Sequence, residues 1–287
     1  MTRWNNHLKT IVLLGALSAL LIGMGSVLAP GHLGLFAVLA LAMNVGAYFF
    51  SDKLVLRMHG AQEVDRARAP ELHAMVRELA ARAELPMPRV YVIEDPQPNA
   101  FATGRDPAHG VVAVTTGILE ILTPRELRGV LAHELAHIRN RDILVSTIAA
   151  CVSGVITYAA HAVGFLGMGS HQNDDGEQAS PLTGIAMMLV APLAATLIQL
   201  GISRSREYLA DETGAAISGD PLALASALGR LEHAATMLPS TAAQPATASL
   251  FIVNPFAGGA GVARLFSTHP STEERIARLE AIAARRG

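Results

Sequence analysis

Four long stretches without a charged side chain constrain the fold more than any other feature of this sequence. They cover about residues 10–29, 33–50, 143–168 and 182–202. Each approaches or exceeds the roughly 18 apolar residues that a helix needs to cross a hydrocarbon core of about 30 Å. Charged residues make up 16% of the chain, whereas about a quarter is typical of soluble domains. The sequence therefore predicts a protein with about four membrane-spanning helices.

Each pair of stretches has an alternative interpretation. The first stretch could be a cleaved signal peptide, but a short uncharged connection at residues 30–32 leads directly into a second apolar run, which favours a helical hairpin. The stretches within residues 143–202 could be two buried core helices or two spans. Gly154, Gly164 and Pro192 would weaken a soluble helix but are tolerated in membrane helices, so both interpretations stay open.

Basic residues indicate how the spans are oriented. They lie at one end of every predicted span: Arg3, Lys9, Lys53, Arg57, Arg139, Arg141, Arg204 and Arg206. The connections on the other side carry none, and residues 171–180 carry three acidic side chains instead. Because basic residues are retained on the cytoplasmic side, both termini and the polar parts of the chain are predicted to be cytoplasmic.

The polar parts of the chain predict a mainly α, α+β domain with a small β-sheet. We divide the chain into two spanning helices (1–50), a first polar part (51–142), two further spanning or membrane-associated helices (143–202) and a second polar part (203–287). Predicted helices cover about residues 70–85, 124–141, 203–214, 221–238 and 272–287, and predicted strands cover 89–94, 99–104 and 111–115. The net charge of −2 argues against a nucleic-acid partner, and the single cysteine excludes an internal disulfide or a thiolate metal cluster.

One predicted helix carries a metal-binding pattern. Thr123, followed by a proline and by Glu126, forms a capping box that begins this helix. His133 and His137 are four residues apart, so both imidazoles project from one helix face and can occupy two corners of a tetrahedral zinc site. Glu134 lies about 60° from His137 around the helix and could take a proton from a metal-activated water. The alternative is a polar helix face that matches the pattern by chance.

A third protein ligand must come from elsewhere in the chain. Glu207 directly follows the fourth predicted span, just as the histidine helix directly precedes the third, and a helical hairpin would bring these two ends together. Asp211 lies one turn further along and could accept a hydrogen bond from a ligand histidine. The alternative is that both carboxylates form surface ion pairs with Arg204 and Arg206.

Four motifs together resemble one protease family. They are residues 133–137 with Arg139 and Asp142, the stretch 203–211 (SRSREYLAD), the stretch 98–104 (PNAFATG) and Thr268-His269-Pro270. In this order they resemble the HtpX-type membrane zinc proteases, which belong to the gluzincin family together with the CAAX prenyl proteases. The resemblance covers nearly the whole chain and implies a zincin-like metalloprotease domain.

The resemblance also implies roles for individual residues. His133, His137 and Glu207 would bind one zinc ion per subunit, with Glu134 as the catalytic base. His269 and Arg275 would be catalytic groups near the scissile carbonyl, although a loop histidine and a solvated arginine are the alternatives.

The same resemblance identifies a strand for the substrate. Asn99, Ala100 and Phe101 resemble the edge strand along which zincins bind an extended substrate, which fits capture through main-chain hydrogen bonds. Expected substrates are misfolded or damaged membrane proteins and unfolded polypeptides, cleaved at the cytoplasmic face of the inner membrane.

Three other functions fit the sequence less well. A CAAX-type protease would be expected to have more spans than four. An inactive membrane scaffold would be free to lose catalytic residues, yet the histidine pair, Glu134 and Glu207 are all present. A transporter would need a coupling site, and the predicted spans hold no Asp, Glu, Lys or Arg.

Overall fold

The structure is a computed structural model that describes residues 2–28, 30–150, 152–153, 204–237, 250–253 and 270–285. Its helices are α1 (Thr2–Leu28), α2 (Leu33–Met58), α3 (Pro70–Arg82), α4 (Thr116–Ile121), α5 (Pro124–Asn140), α6 (Arg204–Ser218), α7 (Pro221–Met237) and α8 (Thr272–Ala284). Its strands are β1 (Gln62–Glu63), β2 (Arg89–Ile93), β3 (Ala100–Thr103) and β4 (Val111–Thr115). This architecture confirms the predicted mainly helical α+β class with a small sheet.

The helices α1 and α2 form an antiparallel pair joined by a single 3-10 turn at Pro30–His32. The Asn44 side chain donates to the Ser18 hydroxyl at 2.7 Å and links the two helices. Of the helices in the described residues, α2 alone is long and apolar enough to cross a membrane by length and composition, with a mean hydropathy of 2.0. Only 11% of that apolar window is buried, whereas a core helix of a soluble protein would be mostly buried. The α1 helix contains a shorter apolar stretch, Leu8–Gly23.

The third and fourth predicted spans are described only in part. Residues 143–150 are helical and follow α5 closely. Their apolar side chains Val145 and Ile148 pack against Leu13 and Leu17 of α1. The remainder of the third predicted span, apart from residues 152–153, and the whole of the fourth lie outside the described residues, so the four-span topology stays a prediction.

The small sheet lies between two apolar layers. Its strand order is β1-β2-β4-β3, with β2 and β4 parallel and the other pairs antiparallel. Val112 and Val114 of β4 belong to the core that includes α5, whereas Val111 and Ala113 pack on the opposite side against Val55 of α2. This alternation follows from the two-residue period of a strand. The last turns of α2 are therefore part of the core of the α+β domain.

The helix α5 begins as the sequence predicts. The Thr123 hydroxyl accepts from the Glu126 N–H, and the Glu126 carboxylate accepts from the Thr123 N–H at 2.9 Å, which completes the capping box. Ser271, which precedes α8, caps that helix in a similar way and accepts from the Glu274 N–H. The Glu274 carboxylate accepts from Arg278 at 3.1 Å.

The boundaries of other elements differ from the prediction. The helix predicted at 203–214 continues to Ser218, because Gly214 faces the backbone of α5 and does not end the helix. The strand β1 and the helix α4 were not predicted. Both are short, and β1 is defined by its pairing with β2 and has no apolar pattern of its own.

We predict that Gly129→Ala destabilises the protein. A Cβ at this position of α5 would lie 2.6 Å from the backbone nitrogen of Leu224, so α5 and α7 would have to separate. Such overpacking costs about 1–3 kcal/mol. The matched control is Gly229→Ala, where the nearest atom is a side-chain carbon of Ile276 at 3.9 Å. The apparent melting temperature in detergent should fall only in the first variant, and an unchanged value there would contradict this packing.

Candidate metal centre

Three side chains from two helices converge behind the sheet. His133 and His137 lie on adjacent turns of α5, and Glu207 lies on the first turn of α6. The Nε2 atoms of the two histidines are 3.1 Å apart, and each lies 3.7 Å from a carboxylate oxygen of Glu207. Within the described part of the chain, these three residues form the group that could hold a metal ion.

The spacing of these donor atoms fits zinc. A tetrahedral zinc ion with ligands at about 2.1 Å has its donor atoms about 3.4 Å apart. The three observed separations of 3.1, 3.7 and 3.7 Å lie on both sides of that value. Two imidazoles and one carboxylate also match the ligand set of several catalytic zinc sites, in which water takes the fourth position.

A carboxylate supports each histidine from behind. Asp211 Oδ1 lies 2.9 Å from Nδ1 of His133, and Asp142 Oδ2 lies 3.1 Å from Nδ1 of His137. These contacts fix the imidazoles so that Nε2 of each ring faces Glu207. Burial opposes the charged form of His137, but Asp142, Glu207 and Glu134 outweigh it and raise the pKa to about 10. The negative charge of these carboxylates therefore favours the binding of a cation between the two imidazole rings.

A buried arginine joins these groups to the C-terminal helix. Arg275 of α8 is 1% exposed, and its guanidinium binds both carboxylate oxygens of Asp211 at 2.7 and 2.9 Å. It also donates to the Ile252 carbonyl at 2.9 Å and lies 3.7 Å from Glu207. Burial opposes the charged form of Asp211, yet Arg275 and His133 hold the pKa of that carboxyl well below its usual range.

Glu134 lines the same cavity as the three candidate ligands. Its Oε2 accepts a hydrogen bond from the backbone N–H of Ala102 in β3 at 2.8 Å. Burial raises the pKa of the Glu134 carboxyl, with the two neighbouring histidines acting in the opposite direction. A raised pKa makes the carboxylate a stronger proton acceptor, as a general base requires.

The cavity at this site is small and has a mixed wall. Its volume is about 40 Å³, enough for one water at about 30 Å³. The wall comes from five parts of the chain: Phe101 and Ala102 of β3, three side chains of α5, Glu207 of α6, residues 142–146, and Leu250–Ile252. The site therefore combines a water-sized space, a buried carboxylate suited to proton transfer and three candidate metal ligands.

The structure places the other predicted site residues differently. Phe101 lines the cavity, whereas Ala100 is buried in β3 and Asn99 precedes it. The Asn99 side chain accepts from the Ile252 N–H at 3.2 Å and so holds the wall segment against β3. Arg275 lies behind His133 and is not among the described residues that line the cavity. Its catalytic role stays a prediction, and His269 lies outside the described residues.

Sequence reasoning missed two parts of the site. Asp142 was noted only as part of a motif, although it follows α5 by two residues and contacts His137. The end of α5 explains this contact. Arg141 takes a left-handed conformation, with φ at 59°, and this turns Asp142 back toward the helix. No sequence pattern indicates that Leu250–Ile252 forms part of the cavity wall, because this segment follows a linker-like stretch.

Comparisons with known proteins agree with this geometry. The model of peptidase family M48 matches residues 66–283. A protease HtpX homolog from Methylibium petroleiphilum is 55% identical, covering 98% of this chain and 99% of the relative. Homologs with the same description from Burkholderia mallei and Burkholderia pseudomallei are 54% identical, with 96% of each chain covered.

The fold is also similar to a solved structure. The crystal structure of S. mikatae Ste24p matches with a TM-score of 0.50 and 17% identity. The match covers 97% of this chain and 66% of that chain, and at this identity it is evidence for the fold alone.

We predict a graded loss of metal from two variants of α6. Glu207→Ala removes one of three ligands and should abolish stoichiometric zinc binding, because each ligand contributes strongly to such a site. Asp211→Asn removes the charge behind His133 and should weaken zinc binding by about 10–100-fold. Metal content is measured by mass spectrometry after dialysis against a weak chelator. Glu212→Ala, one residue further along α6, is the control, and equal zinc in all three variants would contradict the assignment.

Proposed function

This chain belongs to peptidase family M48 and is a membrane metalloprotease, and we propose that it is a zinc endopeptidase acting on misfolded or damaged membrane proteins. The observation that carries the proposal is the triangle of His133, His137 and Glu207 beside the buried carboxylate of Glu134. A zinc ion bound there would polarise a peptide carbonyl and make a water molecule acidic enough to lose a proton near neutral pH.

The chain supplies the proton transfers. Glu134 would accept the proton of the attacking water on its carboxylate and deliver it to the nitrogen of the leaving amine. The Ala102 N–H holds that carboxylate at 2.8 Å and so orients it toward the cavity. This hydrogen bond also joins the base to β3, the strand that we propose for substrate binding.

The strand β3 supports an extended substrate. It stands at one end of the strand order, so its outer edge has no partner strand among the described residues. A free edge captures a peptide through main-chain hydrogen bonds whatever its sequence, which suits a protease with many unfolded targets. Phe101, in the same strand, reaches the cavity and would contact the chain near the scissile bond.

The position of the site favours membrane-protein substrates. Ile143 and Ser146 line the cavity, while Val145 and Ile148 in the same helical segment pack on Leu13 of the apolar helix α1. The cavity therefore lies within about two helical turns of side chains that we assign to the membrane. A substrate segment that emerges from the bilayer would therefore lie close to the site.

We predict that Glu134→Gln keeps zinc and loses proteolysis. The amide is similar in shape to the carboxylate but cannot accept the proton, and removing a general base costs about 10²–10⁴-fold. Casein cleavage and zinc content are measured on the same detergent-purified sample.

The parent protein treated with a strong chelator is the control, since it should lose both metal and activity and regain both with added zinc. Retention of full activity by the chelated parent would disprove the zinc mechanism. Retention of activity by Glu134→Gln would show that another group is the base.

We further propose that the catalytic domain and both termini face the cytoplasm and that the chain crosses the membrane four times. The basic residues at one end of each predicted span support this orientation. A reporter fused after Gly287 should be cytoplasmic and one inserted at Asp175 should be exterior. A reporter inserted at Gly60, directly after α2, is the control and should match the first. The same side for all three would refute the second membrane hairpin.

A further inference from the structure

A groove beside the catalytic domain is lined by arginines that the peptidase mechanism does not use. It lies between α3, the loop that precedes it and the start of β2. Four of its side chains are exposed arginines: Arg66, Arg68, Arg77 and Arg89. Two acidic side chains share its walls, Glu63 and Asp65. The groove therefore carries two more positive than negative charges.

Most of this positive charge is uncompensated. Arg66, Arg68 and Arg77 make no ion pair within the part of the chain that the structure describes. The Asp65 carboxylate accepts from the backbone N–H groups of residues 67 and 68, which closes a turn and does not engage an arginine. Guanidinium groups arranged in this way favour a ligand with several anionic oxygens, and phosphate fits their fork of donors best.

The groove lies at the membrane-proximal end of the sheet. Arg89, the first residue of β2, lies 3.7 Å from Asp52 of α2. Asp52 comes two residues after Phe50, the last residue of the uncharged stretch, and so lies about 3 Å further along the helix axis. The headgroup layer on each side of a bilayer is about 5–7 Å thick. Arg89 is therefore at headgroup level if α2 crosses the bilayer.

A second contact also places this end of the sheet at the level of the headgroups. Arg105, two residues after β3, lies over the ring of Phe49 at 5.9 Å. The Arg89 N–H donates to the Gly110 carbonyl at 3.1 Å, so the start of β2 and the start of β4 lie side by side. Tyr48, the residue before Phe49, is also exposed, and exposed tyrosine side chains are typical of the boundary between hydrocarbon and headgroups.

We propose that this groove binds the phosphate of an acidic phospholipid headgroup in the leaflet from which α2 emerges. Juxtamembrane arginines attract acidic lipids by about 1 kcal/mol each, and a groove adds directed hydrogen bonds. The bound lipid would hold α3 and the sheet against the membrane surface. The proposal rests on α2 spanning the bilayer and not on the chemistry of the metal centre.

The test measures lipid binding without turnover. Detergent-purified full-length protein is titrated with phosphatidylglycerol or phosphatidylcholine, and bound lipids are counted by native mass spectrometry. The parent should bind phosphatidylglycerol preferentially. Arg66→Gln/Arg68→Gln/Arg77→Gln should lose this preference, with an affinity for the acidic lipid lower by roughly 100-fold. Each single variant should bind the acidic lipid with an affinity lower by roughly fivefold. These single variants decide the question if the triple variant does not fold.

The matched control removes three charges from arginines that do not line the groove. Arg82→Gln/Arg125→Gln/Arg128→Gln alters arginines that pair with Glu78 and Asp220. This variant should bind phosphatidylglycerol like the parent, and zinc content should be unchanged in both triple variants.

Three results would overturn the proposal. Equal loss in the control variant would show a general effect of net charge, and unchanged binding in the groove variants would show that the lipid binds elsewhere. Displacement of the lipid by millimolar inorganic phosphate would show a site for free phosphate.

Discussion

A charged group buried in protein costs several kcal/mol of folding free energy unless it is paired with an opposite charge. Arg275 is buried directly behind α5, and Asp211 supplies that opposite charge. Its guanidinium binds both oxygens of Asp211 and the Ile252 carbonyl, so one side chain connects α8, α6 and the cavity wall. Asp211 in turn orients His133. The pair therefore helps to orient the histidine and to anchor the wall, although these groups come from segments distant in sequence.

Close backbone contacts position the metal-binding helices just as strictly. At Gly214 of α6 an added Cβ would lie 2.9 Å from the Cα of His133, so α5 and α6 touch at the ligand itself. At Gly129 of α5 an added Cβ would likewise lie 2.6 Å from the backbone nitrogen of Leu224 in α7. With no side chain between them, the helices hold their ligand atoms at fixed separations. The site is preorganised by helix packing and does not depend on a loop.

Much of this arrangement follows from local signals in the sequence, and the rest does not. The start of α5 at Thr123 was predictable because capping is a short-range interaction, and the four-residue histidine spacing fixes their shared face. The convergence of Glu207 on that face could be inferred from the order of the apolar stretches. The left-handed conformation at Arg141 was not predictable, since no glycine marks it. The burial of Arg275 depends on contacts with Asp211 and Ile252, which no local pattern encodes.

The helix α2, which we propose to cross the bilayer, also belongs to the core of the domain that holds the metal centre. Its 26 residues make a rod of about 39 Å, and Val55 and Leu56 at its C-terminal end are buried against the sheet. Membrane helices tilt when the hydrocarbon thickness differs from their own apolar length. Because the rod and the sheet share one core, such a tilt would also rotate β3 and the Glu134 carboxylate bound to it. The thickness of the surrounding bilayer would thus set the angle at which the cleft meets an emerging chain.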